Sequence, residues 1–327
     1  MYIAQVYKTL HDWWRYIIGA GVVIIGVFVF SMPHVIAISI ETFKGNIDAT
    51  KLEDAAYLLG LFEPNLNLVF VLLPFAGGLL FLLLTVKLLH KQSFRMLTTA
   101  REKIDWNRFW FAFIFWGIVS SGMVMADYFL NPEGYVYNFK LVPFLILCVI
   151  AIVLVPLQTS FEEYFFRGYL MQGIGVLVKN KWVPLIITST TFGLLHIANP
   201  EVDKLGYIIL VYYIGTGFFL GITALMDEGL ELSLGFHAAN NLFTALLVTA
   251  DWTAFQTHSI FKDMSDPTEV GVGETMLPVF IIFPILLFIF SKKYKWTNWK
   301  DKLFGAVVKP IPVNEPIVDE VIDLEEE

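Results

Sequence analysis

Residues Val155–Leu170 read VPLQTSFEEYFFRGYL, and they place Glu162, Glu163 and Arg167 in one of the most apolar regions of the chain. A charged side chain at the centre of a bilayer costs about 2.5–3.5 kcal/mol on insertion scales. Three charged residues within six positions therefore indicate a function that offsets this cost.

The composition around this stretch is that of a membrane protein. Of the 327 residues, 57% are hydrophobic and only 16% are charged. A helix needs about 20 apolar residues to cross a bilayer, and we predict an all-α polytopic protein with eight transmembrane helices. The fourth segment is too long for one straight span, so we expect a tilted helix that is bent or broken at Pro156. The predicted segments are 16–38, 66–89, 109–130, 141–177, 183–198, 205–226, 231–250 and 275–291.

Lys and Arg residues favour the cytoplasmic side of a membrane. With the N-terminus inside, the inner segments hold seventeen of the 22 Lys and Arg residues, Arg167 included, and the outer segments hold five. We therefore predict that both termini are cytoplasmic. Residues 1–299 form the predicted transmembrane domain, and the acidic tail 300–327 is expected to be disordered. The composition indicates no nucleic-acid surface, and the single Cys148 excludes an intrachain disulfide and a Cys-based zinc site.

Helical spacing separates the two glutamates of the opening stretch. Glu163 and Arg167 are four residues apart with the acid first, a spacing that favours an ion pair on one helix face. Glu162 is rotated by about 100° from Glu163, so it is expected to face a different neighbour and to remain free to react.

Two of the six histidines lie within predicted spans. His196 shares a helix face with Phe192, and His237 shares one with Asn241, whereas Asn240 is expected to point elsewhere. Depths along the helices allow Glu162, His196 and His237 to share one cavity, which we expect to open to the cytoplasm. Gly217 and Gly221 are expected to allow close helix packing. The remaining histidines, predicted to be solvated at or beyond span ends, are His11, His34, His90 and His258.

The sequences EEYFFR, FGLLH and HAANN resemble the EExxxR, FxxxH and HxxxN motifs of the CPBP family. This family comprises the CAAX prenyl proteases and bacteriocin-processing intramembrane endopeptidases, and is also called the Abi family. The three motifs occur in the family's order and on separate predicted spans, within a core of about residues 141–250.

The resemblance implies a glutamate-dependent peptidase with an eight-helix fold and an intramembrane cavity. Carried over by motif, Glu162 is the base that activates water, assisted by His196. His237 and Asn241 are implied to stabilise the oxyanion, and Glu163 and Arg167 form the supporting pair. The implied partners are the lipid bilayer and a membrane-associated or lipidated peptide or protein substrate.

Two alternatives remain open at this point. One Glu and two His could instead be the ligands of a zinc-dependent intramembrane protease, although the prediction is a reaction without a cofactor. A non-proteolytic immunity, scaffold or transport protein could also carry intramembrane charge. The composition suggests a bacterial plasma membrane, and it specifies neither the substrate nor an oligomeric state.

Overall fold

The computed structural model describes residues 1–52, 54–269 and 271–310. As predicted, most of these residues are helical and almost none lie in a sheet. The α-helices are α1 (Trp13–Phe43), α2 (Ala55–Leu59), α3 (Pro64–Leu88), α4 (Phe94–Thr98), α5 (Trp106–Leu130), α6 (Leu141–Glu163), α7 (Met171–Val178), α8 (Trp182–Leu194), α9 (Pro200–Leu205), α10 (Ile209–Asp227), α11 (Glu231–Leu247), α12 (Val272–Leu277), α13 (Phe283–Tyr294) and α14 (Trp299–Phe304). Three short strands, β1 (Tyr135–Tyr137), β2 (Val248–Thr249) and β3 (Phe261–Asp263), form a small sheet in which β3 lies between the other two.

Six helical segments of the described chain are long and apolar enough to cross a membrane, so the protein is an integral membrane protein. They are Trp13–Phe43, Pro64–Leu88, Trp106–Leu130, Leu141–Val178, Ile209–Asp227 and Val272–Tyr294. The other two predicted spans are also helical but differ from these six. The segment Trp182–Ala198 is a shorter apolar helix. Helix α11 has 17 residues and is buried from Glu231 to Ala239, so it contacts protein more than lipid and needs less hydropathy.

Helix α6 continues through Pro156, where a bend or break was predicted. The departure from α-helical geometry comes later, in the π-helical segment Tyr164–Leu170 that joins α6 to α7. A π-helical turn inserts extra backbone into a helix and is frequent at functional sites. Here it lies directly after Glu162 and Glu163.

Ion pairs join the segments that the charge count assigns to the inner side. Arg101 pairs with Asp227 at 2.8 Å and with Glu231 at 3.0 Å, and Arg108 also pairs with Asp227. Glu228, whose left-handed backbone (φ 57°) ends α10, pairs with Lys302. These contacts close that end of the helix bundle.

A second set of contacts gathers the segments predicted to be external. Glu63, before α3, lies 2.6 Å from His258, and Asn138 donates through its backbone to Ile260 at 2.9 Å. Strands β1 and β3 pair on this side, with Tyr135 opposite Asp263. The chain thus alternates between two sides as predicted, while the assignment of the inner side to the cytoplasm stays a prediction.

The structure corrects two predictions about charged segments. Arg167, counted with the inner segments, is fully buried within the helical segment that contains the π-helix, so it says nothing about orientation. The predicted tail 300–327 begins inside helix α14, and Lys181 at the start of α8 contacts Asp301 at 3.1 Å. The packed region therefore extends beyond residue 299, and residues 311–327 of the predicted tail lie outside the described residues.

Candidate active site

A buried ion pair lies at the junction of α6 and the π-helical segment. Glu163 and Arg167 are both fully buried, and a guanidinium nitrogen lies 3.0 Å from Glu163 Oε1, as the four-residue spacing predicted. Arg167 also donates to the carbonyl of Gly217 at 3.1 Å, and its guanidinium carbon lies 4.3 Å from the ring centroid of Phe192. A guanidinium with these partners neutralises one carboxylate within the membrane.

The small residues of α10 make this arrangement possible. A Cβ at Gly217 would collide with the backbone of Ser189, and one at Gly221 would meet the side chain of Leu185. Helices α8 and α10 therefore approach closely, as predicted, which brings the Gly217 carbonyl within reach of Arg167.

His237 lies between the two glutamates. Its Nδ1 is 2.9 Å from Glu163 Oε1, and its Nε2 is 3.4 Å from Glu162 Oε2. Glu162 accepts from Gln158 and Glu163 from Arg167, so the two carboxylates have different hydrogen-bond donors as predicted, but they share His237 as a neighbour. One imidazole is wide enough to reach both carboxylates, because its two nitrogens lie on opposite edges of the ring.

A chain of four hydrogen bonds holds Glu162 from the other side. The indole N–H of Trp116 donates to Asn240 Oδ1 at 3.0 Å, and Asn240 Nδ2 donates to Asn241 Oδ1 at 3.1 Å. Asn241 Nδ2 donates to Gln158 Oε1 at 3.0 Å, and Gln158 Nε2 donates to Glu162 Oε1 at 2.9 Å. An indole can only donate and an ionised carboxylate can only accept, so the two ends fix the direction of every amide between them.

This series of hydrogen bonds includes residues that the sequence analysis did not identify. Asn240 was expected to point elsewhere, but it contacts both Asn241 and Trp116 of α5. Gln158 was not considered, although its position four residues before Glu162 in an apolar helix was a usable signal. The partner helix α5 could not be identified from spacing within α11.

His196 lies in the short 3₁₀ segment Leu195–Ala198 that follows α8. Its Nδ1 is 2.8 Å from the carbonyl oxygen of Phe192, its ring lies 4.9 Å from the Phe192 ring as the shared face predicted, and it stacks on Tyr213 at 4.3 Å. Because a carbonyl oxygen only accepts, Nδ1 carries the proton, and the Nε2 of a neutral ring is left as an acceptor. His196 and Glu162 line the same cavity, without a direct hydrogen bond in the described structure.

The cavity that contains these residues has a volume of about 690 Å³. It extends from Glu162 and His237 past Tyr213 to the loop 248–255 that follows α11. This loop belongs to the side opposite the ion pairs of Arg101, and residues of α1 and α3 such as Ile24 and Val71 also line the cavity. The opening of the cavity to the cytoplasm stays a prediction.

Across the described residues, no group of three His, Cys, Asp or Glu side chains is arranged to hold a metal ion. The Nδ1 atoms of both imidazoles, His196 and His237, are engaged in hydrogen bonds to protein groups. Metal independence of the reaction stays a prediction.

Comparison with known proteins places the chain in a family. Residues 138–243, which contain all three motifs, match the family described as type II CAAX prenyl endopeptidase Rce1-like. The uncharacterized protein YyaK of Bacillus subtilis (strain 168) is 30% identical over 291 residues, or 88% of this chain and 93% of YyaK. An uncharacterized protein of Mycoplasma capricolum subsp. capricolum is 32% identical over 124 residues, or 37% of this chain and 34% of that protein. No solved structure matches the chain significantly. The chain is related to YyaK over most of its length and carries the matched core. It belongs to the Rce1-like family of type II CAAX prenyl endopeptidases.

Proposed function

We propose that this protein is an intramembrane endopeptidase of a bacterial plasma membrane that cleaves a membrane-associated or lipidated peptide or protein. The proposed nucleophile is a water molecule activated by Glu162. The observation that carries the proposal is the environment of this carboxylate. One oxygen is fixed by Gln158, whereas Oε2 is buried, makes no hydrogen bond among the described residues and has His237 Nε2 at 3.4 Å.

In the proposed reaction, Glu162 Oε2 accepts a proton as the water oxygen bonds to the carbonyl carbon of the substrate. His196 Nε2 accepts a hydrogen bond from the second O–H of the same water and orients it. The tetrahedral intermediate then expels the amine, which takes the proton from Glu162 as the C–N bond breaks. A carboxylic acid and an amine result, and Glu162 is again ionised.

The oxyanion of the intermediate is proposed to lie between His237 and Asn241. Asn241 Nδ2 carries two hydrogens and uses one of them on Gln158, so a second donor remains. An imidazolium at His237 would donate through Nδ1 to Glu163 and would direct Nε2–H towards Glu162 and the reacting atoms. With Arg167, this protonation state makes the cluster of two carboxylates electrically neutral, which lowers the cost of burying it.

Glu163 and Arg167 support these residues without touching the substrate in the proposed mechanism. Glu163 holds the ring of His237 through Nδ1, and Arg167 holds Glu163. Glu163 is therefore proposed to set the orientation of the ring, much as a buried carboxylate orients a catalytic histidine in other hydrolases.

Substitution of Glu162 by Gln tests the proposal, because Gln keeps the shape and removes the base. Loss of the base should lower cleavage at least about 10²-fold. Newly formed peptide termini in membranes of cells expressing the wild-type protein should be absent with Glu162→Gln. They should persist with the matched Glu102→Gln variant, whose carboxyl is exposed.

Two outcomes of this experiment contradict the proposal. Equal yields of new termini with wild type and Glu162→Gln would exclude Glu162 as the base. Folded wild-type protein that produces no new termini would favour the non-proteolytic alternative. Stoichiometric zinc in the purified protein, with cleavage lost on chelation, would instead support the metal-dependent mechanism.

A further inference from the structure

The outer part of the cavity contains a polar site that the proposed reaction does not use. Glu201, at the start of α9, accepts a hydrogen bond from the backbone N–H of Ala254 at 2.8 Å. Its other oxygen, Oε2, is buried without a hydrogen-bond partner among the described residues, and so is the indole nitrogen of Trp252. Both side chains line the same cavity as Glu162.

Unpaired buried groups of this kind cost free energy, about 1–3 kcal/mol for each neutral donor or acceptor and more for a charge. They are complementary to each other, since Glu201 can only accept when ionised and the indole can only donate. A ligand that offers both a donor and an acceptor would satisfy them together. A residue of a peptide chain has such a pair.

The charge of the cavity selects the kind of donor. The lining includes three carboxyl groups, those of Glu162, Glu201 and Asp263, and within the described residues it includes no Lys or Arg. Lys262, next to Asp263, is paired with Asp251 at 2.7 Å. Low-dielectric walls lined by one sign of charge concentrate ligands of the opposite sign.

Aromatic side chains complete the site. Tyr212, Tyr213 and Trp252 line the same cavity as Glu201, and Asn199 donates to the hydroxyl of Tyr213 at 3.5 Å. Aromatic faces attract ammonium and guanidinium groups, by about 0.5–2 kcal/mol depending on exposure. The walls and the carboxylate therefore favour the same class of ligand.

We propose that Glu201 and Trp252 form a subsite for a positively charged residue of the substrate. Glu201 would bind an ammonium or guanidinium group, and Trp252 Nε1 would donate to a nearby backbone carbonyl oxygen. The proposal rests on the proposed peptidase function for its substrate, and it places the cleaved bond towards Glu162 and the charged residue towards the outer mouth of the cavity. It makes Glu201 a specificity-determining residue and not a catalytic one.

Binding to a variant that cannot cleave tests the subsite separately from the reaction. The protein would carry Glu162→Gln, which also removes the other central carboxylate, and would be reconstituted in zwitterionic phosphatidylcholine nanodiscs. Three fluorescent peptides of Ala and Leu would be compared. One is acetylated and contains a single arginine, the second is acetylated with citrulline in its place, and the third contains citrulline and a free amino terminus.

The arginine peptide should bind at least about tenfold more tightly than the acetylated citrulline peptide. Adding Glu201→Gln should remove this difference, while Gln still accepts the Ala254 bond. Adding Asp203→Asn, which neutralises an exposed carboxyl on the same short helix, should preserve it. Tight binding of the third peptide would identify the amino terminus as the charged group.

Equal affinities for the arginine and both citrulline peptides would overturn the subsite, as would discrimination that survives Glu201→Gln. The comparison between peptides is informative even if a Glu201 variant fails to fold. Because binding is measured without turnover, these results are separate from the cleavage test of Glu162. Glu162-dependent cleavage without any charge preference would leave the peptidase proposal intact and reject the subsite alone.

Discussion

Replacing Arg167 by Met tests whether the buried ion pair stabilises the fold as its contacts indicate. The side chain is fully buried and contacts Glu163, the Gly217 carbonyl and the ring of Phe192. Met has a similar length and no charge, so the variant removes the guanidinium and leaves little empty volume. Glu163 would then be buried with one remaining donor, His237.

The expected loss of stability follows from these contacts. The charge-assisted bond to Glu163 is worth about 1.5–3 kcal/mol, and stacking on Phe192 adds about 1 kcal/mol. Leaving the Gly217 carbonyl without its donor costs about 1 kcal/mol more. We therefore expect the free energy of unfolding to fall by about 3.5–5 kcal/mol, consistent with the ~3–5 kcal/mol found when buried ion pairs lose one partner.

A double-variant cycle separates the charge from the packing. Glu163→Gln alone leaves Arg167 unpaired and should also be strongly destabilising, whereas the double variant Glu163→Gln with Arg167→Met leaves no buried unpaired charge from this pair. The double variant should be more stable than the sum of the single losses by at least about 2 kcal/mol. Reversible unfolding in mixed detergent and dodecyl sulfate micelles measures all four proteins.

Lys44→Met is the matched control, because Lys44 forms an exposed pair with Glu41 at 2.7 Å. Its effect should stay within about 0.5 kcal/mol. Additive losses in the cycle would refute the reasoning, since they would show that Glu163 and Arg167 do not stabilise each other. So would an Arg167→Met variant as stable as the Lys44 control.

Two further predictions concern the site and the cavity. Gln158→Leu breaks the hydrogen-bond chain between Asn241 and Glu162, so turnover of any cleaved peptide should fall by about 10²-fold as the base loses its orientation. A thermal unfolding measurement should show that the variant remains folded. Unchanged turnover would remove Gln158 from the mechanism. Burial raises the pKa of the Glu201 carboxyl, and the Ala254 N–H lowers it only in part. As pH falls, Glu201 should therefore take up a proton, and affinity for the arginine peptide should be lost, at a higher pH than for an ordinary carboxyl. Asp263, His196 and His237 also line this cavity, and the Glu201→Gln variant should therefore be measured over the same pH range, where a flat profile is expected for it.

The sequence predicted the features that depend on spacing within one helix. The pair of Glu163 and Arg167 and the shared face of Phe192 and His196 are of this kind, and both are present. The eight apolar segments are also helical, because hydropathy over 20 residues reports what the bilayer requires. These properties need no knowledge of which helices are neighbours.

Features that depend on contacts between helices were missed. His90 was expected in solvent beyond a span end, but it is fully buried and contacts Tyr169 at 3.0 Å and the backbone of Leu10 at 2.8 Å. The N-terminal residues fold back over the end of α3, and no local sequence pattern predicts this contact. Asn240 was excluded by the angle on its own helix, although a neighbouring helix supplied Trp116 at that angle.

The two ends of the helix bundle give the proposed chemistry a direction. At the end that holds the N-terminus and α14, Arg101 and Arg108 bind Asp227 and Glu231, and these two carboxylates lie at the ends of α10 and α11 that meet there. At the other end, the loop after α11 borders the cavity, and among the described residues Glu201 and Trp252 each keep a buried polar atom without a hydrogen-bond partner. A substrate that enters from this second end would meet Glu201 first and Glu162 deeper in the membrane. Charge would then select the substrate at Glu201, where water is still accessible. Hydrolysis would follow at Glu162, where the exclusion of water strengthens the hydrogen bonds of Asn241 and His237.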